Sequence, residues 1–135
     1  MARILIAEDE AGLRSLVARA LALDAHDVVT AKDGAAALDL LTRTQGAFEL
    51  LLTDIRMPVM DGIALALATA RDHPRIGILL MTGYADQRER ACGLEALIHN
   101  VIAKPFSLGA IRSAVKEAIA AKAACREDAC SRRTD

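Results

Sequence analysis

The stretch FELLLTDIRMPVMDG, residues 48–62, runs from an apolar segment directly into an acid, a base, a proline and an Asp-Gly pair. Near-continuous apolar character over 48–53 suits a strand buried on both faces, as in parallel sheets covered by helices. That strand would leave a lone carboxylate, Asp54, at its carboxyl end. Asp61-Gly62 then reads as a turn and a helix start, with Asp61 as N-cap.

The same alternation extends outward from this stretch. Apolar runs at 3–7 (RILIA), 27–31 (DVVTA), 76–81 (IGILLM) and 100–104 (NVIAK) predict four further strands. Helical spacing recurs between them at about 10–23, 34–43, 61–72, 86–95 and 107–122. In the first of these, Leu13, Leu16, Val17, Ala20 and Leu21 form one apolar stripe; in the last, Leu108, Ile111, Val115 and Ile119 do so behind Ser107, a credible N-cap. Strand and helix in strict alternation predict an α/β fold. Right-handed crossovers narrow it to a doubly wound, five-stranded parallel sheet of flavodoxin-like order 2-1-3-4-5 with five helices. In such a fold, ligands bind at the carboxyl ends of strands 1 and 3, where the winding reverses.

At 135 residues the chain fits one domain, placed at 1–121, which buries roughly two-thirds of its unfolded surface. The remainder, 122–135, alternates charge signs without apolar period and is expected to fray or be disordered. A formal net charge of −1 and 2% aromatic residues argue against nucleic acid and anionic lipid as partners. No apolar run is long enough for a signal peptide or a membrane span, so a cytoplasmic protein is expected. Cys92, Cys125 and Cys130 lack close CxxC pairing and read as incidental thiols. Met57, Met60 and Met81 read as packing residues, and His26, His73 and His99 as surface or edge residues.

At the strand ends stand Glu8 and Asp9 after strand 1, Asp54 after strand 3, Thr82 with Gly83 after strand 4, and Lys104 with Pro105 after strand 5. Three carboxylates in one crevice disfavour each other's charge. A small divalent cation such as Mg²⁺, or the Lys104 ammonium, would relieve the crowding. Metal, lysine, the Thr82 hydroxyl and a carboxylate able to act as nucleophile together suit phosphoryl transfer to Asp54. Pro105 implies a fixed turn that aims Lys104.

This ordered set resembles the receiver domain of two-component response regulators, the CheY-like group, over about residues 2–121. The resemblance implies that Glu8 and Asp9 hold Mg²⁺ together with Asp54 and the backbone carbonyl of Arg56. It implies that Asp54 accepts phosphate from a histidine kinase or phosphotransfer protein, and that Thr82 and Lys104 bind the phosphoryl group. It further implies a cis peptide between Lys104 and Pro105, and a role for Arg56 and Tyr84 in setting the lifetime of the acyl phosphate. Partners would read a face made of the fourth helix (86–95), the fifth strand and the fifth helix (107–122). The expected function is therefore a stand-alone phosphoacceptor switch, not an enzyme, acting through protein contacts. MTGYADQRER (81–90) and GLEALIHNVIAKPF (93–106) are also similar to single-domain regulators of alphaproteobacteria, including those of the CpdR kind.

Val101 departs from the pattern. Receivers often carry Tyr or Phe three residues before the strand 5 lysine, and a β-branched aliphatic residue cannot swing as that ring does. Tyr84, or shifts of 82–86 and the fourth helix, would have to carry the signal. The alternative function is a small Mg²⁺-dependent phosphatase of haloacid-dehalogenase-like chemistry. Against it, Arg56 stands where those enzymes have a second Asp, and no cap segment shuts out water.

Overall fold

The computed structural model describes residues 2–57, 59–82, 98, 100–104 and 106–133. Five strands, β1 (Arg3–Ala7), β2 (Asp27–Ala31), β3 (Leu50–Asp54), β4 (Gly77–Thr82) and β5 (Asn100–Ala103), form one parallel sheet of order β2-β1-β3-β4-β5. Four helices are described: α1 (Ala11–Ala22), α2 (Gly34–Arg43), α3 (Gly62–Asp72) and α4 (Leu108–Arg133). The doubly wound order expected from the alternation is the order observed. The helix expected at 86–95 lies outside the described residues.

Side-chain alternation along each strand divides the core into two layers. Ile4 and Ile6 of β1, Leu50 and Leu52 of β3, and Leu79 and Met81 of β4 pack with Val17 and Leu21 of α1 and Ile111 and Val115 of α4. Leu5, Ala7 and Leu51 point the opposite way, onto Ala37 and Leu41 of α2 and Leu65 of α3. Ile55, Ile78 and Leu80 extend that second layer with Ala66 of α3. Every residue of β3 and β4 is buried, and this is why those two segments read as unbroken apolar runs. β2, at the edge, shows exposed and half-buried positions instead. Met57 and Met81 are buried and Met60 is half-buried, all three among apolar neighbours, as expected of packing residues.

Three helix starts carry short polar caps, those at Asp61 and Ser107 as the sequence predicts. Asp33 Oδ1 accepts from the Ala36 N–H at 2.7 Å, Asp61 Oδ1 from Ala64 at 2.8 Å, and Ser107 Oγ from Ala110 at 3.0 Å. Two helical details differ from expectation. Leu16, placed in the α1 stripe, is 47% exposed, because it lies at the stripe's margin beside the similarly exposed Leu23 and Leu108. The last helix runs to Arg133 where the sequence reading ends it at 122; no Gly or Pro follows Gly109, and residues such as Ala, Arg, Lys and Glu sustain a helix after the apolar period has lapsed. A bidentate pair between Arg112 and Asp24, at 2.5 and 3.0 Å, ties α4 to the turn after α1.

Candidate functional site

Parallel pairing in register brings the carboxyl ends of β1, β3, β4 and β5 to one edge of the sheet. Glu8 follows β1 directly. Its N–H donates to Ala31 O at 3.1 Å, and its carbonyl accepts from Arg14 of α1 at 2.9 Å, so both sides of its peptide are tethered. Its side chain turns inward and is 2% exposed, whereas the adjacent Asp9 is exposed. Asp54, 6% exposed, closes β3, one residue later than the sequence reading ends that strand, because the Ile55 N–H donates onward to Met81 O at 3.0 Å. Thr82, 1% exposed, closes β4. The Lys104 N–H donates to Thr82 O at 2.6 Å, which carries the chain past β5 with the lysine side chain over the crevice.

One carboxylate oxygen from each of Glu8, Asp9 and Asp54 lies within 4.8 Å of the other two. Lys104 Nζ reaches Asp54 Oδ2 at 3.0 Å and Glu8 Oε1 at 3.5 Å. The cluster therefore joins residues 50 and 96 positions apart along the chain. Burial pushes the Glu8 carboxyl up to about 8, helped by hydrogen bonding to and the charge of Asp54, while Lys104 pulls it back. Burial works against the Lys104 charge, but Asp54 and Glu8 outweigh it and raise the ammonium's pKa. Glu8 Oε2 is buried and has no hydrogen-bond partner among the described residues. A buried orphan acceptor within a three-carboxylate set of hard oxygens fits a small divalent cation, which would replace the proton that Glu8 otherwise retains.

Of the residues expected at the site, Glu8, Asp9, Asp54 and Lys104 come together, and Thr82 stands beside them at the end of β4. Arg56 lies two residues beyond Asp54 with its side chain exposed. Val101 is half-buried against the layer of Ile55, Ile78, Leu80 and Ile98. Tyr84 and Pro105 lie outside the described residues. Sequence reasoning missed Arg14, whose only signal was a base on the first turn of the helix that follows the acidic pair.

Residues 4–116 match the profile of the response regulator receiver domain. The chain belongs to this family. Among curated relatives, it is 33% identical over 117 residues to sporulation initiation phosphotransferase F of Bacillus subtilis, covering 85% of this chain and 91% of that one. It is 30% identical over 114 residues to the transcriptional regulatory protein PrrA of Mycobacterium bovis, covering 84% of this chain but 48% of PrrA. The receiver thus spans less than half the length of several curated relatives that it matches. Among solved structures, response regulator TrrA of Thermotoga maritima, in complex with Mg²⁺ and BeF, superposes with a TM-score of 0.75 at 26% identity, covering 87% of this chain and 98% of TrrA. The family is one of signalling domains, and the phosphatase alternative draws no support from it. No helix among the described residues is long and apolar enough to cross a membrane.

Proposed function

We propose that this receiver takes a phosphoryl group onto Asp54 from a histidine kinase or histidine phosphotransfer protein, in a Mg²⁺-dependent reaction, and signals through protein contacts. The observation that carries the reading is the meeting of Glu8, Asp9 and Asp54 within 4.8 Å, with Lys104 3.0 Å from Asp54. Asp54 supplies the nucleophile: a carboxylate oxygen attacks phosphorus, the P–N bond of the donor's phosphohistidine breaks, and the imidazole leaves with its electron pair. Glu8, Asp9, Asp54 and the Arg56 carbonyl would hold Mg²⁺. When bound, the ion supplies charge neutralisation for the phosphoryl oxygens. Lys104, held at the crevice by its own backbone bond to Thr82, exchanges its carboxylate contact for a phosphoryl oxygen, and the Thr82 hydroxyl donates to another.

Loss of the Lys104 contact to Asp54 is the switch event. The charge added at Asp54 pulls on β4 and β5 through Thr82 and Lys104, and the face around β5 and α4 is where a protein partner would read it. With the aliphatic Val101 in place of an aromatic ring, the shift of the β4 and β5 ends themselves carries the signal. The switch turns over no substrate beyond slow loss of its own phosphate, whose lifetime Arg56 and Tyr84 tune.

Calorimetric titration with beryllofluoride in the presence of Mg²⁺ tests this reading. Saturable one-to-one binding that requires Mg²⁺ and vanishes in Asp54→Asn is expected. Rapid multiple turnover of unrelated phosphate esters would instead favour the phosphatase.

A further inference from the structure

Gly34 opens α2 at a point where a side chain has no room. A Cβ at this position would lie 2.4 Å from the Met60 carbonyl oxygen and 2.9 Å from Met60 Cβ. Gly34 does not have a positive φ, so space and not conformational freedom demands glycine. The obstacle is a backbone atom, which cannot swing aside as a side-chain tip does. The same loop is pinned again at Gly62, where a Cβ would fall 2.0 Å from the Asp54 carbonyl oxygen and whose N–H donates to Ile55 O at 2.8 Å. Within this loop, next to Met60, Val59, β-branched and 85% exposed, holds a φ of 70°. Such a conformation persists only where the surroundings over-determine it.

We propose that Gly34 is a positioning residue for the phosphoacceptor pocket: by admitting the Met60 carbonyl against the start of α2, it holds the loop between Ile55 and Gly62, and hence the Arg56 carbonyl, where Mg²⁺ needs it. This rests on the assignment of that carbonyl to the metal made above. Mg²⁺ demands near-ideal octahedral geometry, so a ligand displaced by a fraction of an ångström binds it poorly. Gly34→Ala must drive the Met60 oxygen from 2.4 Å to beyond 3.0 Å, and the closed loop passes the displacement toward Arg56. Asp54 itself, paired in β3, stays in place.

The test compares Gly34→Ala with Gly12→Ala, whose added Cβ meets nothing within 4 Å. Mg²⁺ affinity is measured by calorimetry, and amide exchange at Gly62 and Gly77 in the metal-free chain. Gly34→Ala is expected to weaken Mg²⁺ about 10- to 100-fold, the range for lost support around a metal ligand, and to speed exchange at Gly62 but not at Gly77; Gly12→Ala is expected to do neither. A folded Gly34→Ala variant with unaltered Mg²⁺ affinity would overturn the proposal. Should that variant not fold, the double variant Gly34→Ala, Val59→Gly frees the backbone beside Met60 so that its carbonyl can retreat from the added Cβ; recovered folding with Mg²⁺ binding weaker than in Val59→Gly alone supports the clamp, and recovered folding with binding equal to Val59→Gly overturns it. If the unaltered chain bound no Mg²⁺, the metal reading itself would fail, and unchanged exchange at Gly62 in Gly34→Ala would dispose of the clamp independently.

Discussion

At neutral pH the buried Glu8 carboxyl keeps a proton in the folded, metal-free chain, since its pKa is pushed up to about 8. The unfolded chain releases that proton near the ordinary value of 4.5. Between these values the folded state binds more protons, so this contribution to stability is present below about 4.5 and is lost as pH rises through about 8. The melting temperature without divalent ions is expected to fall across that window, and Glu8→Gln to flatten the fall. Mg²⁺ affinity is expected to rise over the same window, because the cation displaces the proton; a flat affinity profile by calorimetry would count against Glu8 as a ligand. Asp54 and Lys104 were legible in the sequence because each stands where an apolar run stops. Glu8 was legible as a member of the crevice, but its near-complete burial beside an exposed Asp9 was not, since the two are adjacent acids at one strand end.

Strands and caps were legible because their causes are local: apolar runs set β3 and β4, and short polar side chains cap the starts of α2, α3 and α4. Asp61→Ala removes the bond to the Ala64 N–H and is expected to cost about 0.5–2 kcal/mol in chemical denaturation. Val59→Gly relieves a positive φ that disfavours a β-branched residue and is expected to raise stability by about 1 kcal/mol. The exposure of Leu16 was not legible, because periodicity gives the direction of a stripe but not the width its neighbours cover. Nor was the length of α4, whose later turns follow helix propensity with no apolar period to mark them.

For the molecule as a whole, the sheet order follows from right-handed crossovers acting on a plain alternation of strand and helix, so the crevice at the ends of β1 and β3 could be located before any side chain was placed. The glycine contacts at Gly34 and Gly62 could not, since they join segments whose approach only the packed fold defines. Leu52, fully buried on the central strand, makes the burial of that strand testable: Leu52→Ala is expected to cost about 2–5 kcal/mol in denaturant unfolding while the folded fraction keeps its Mg²⁺ affinity.

Everything functional turns on Asp54 being the group that takes the phosphate. Exposure to acetyl phosphate and Mg²⁺, borohydride reduction of the acyl phosphate and peptide sequencing by mass read this directly. Conversion to homoserine is expected at position 54 alone, and none when Mg²⁺ is withheld. Conversion at Asp9 or elsewhere, or phosphate retained by Asp54→Asn, would contradict it.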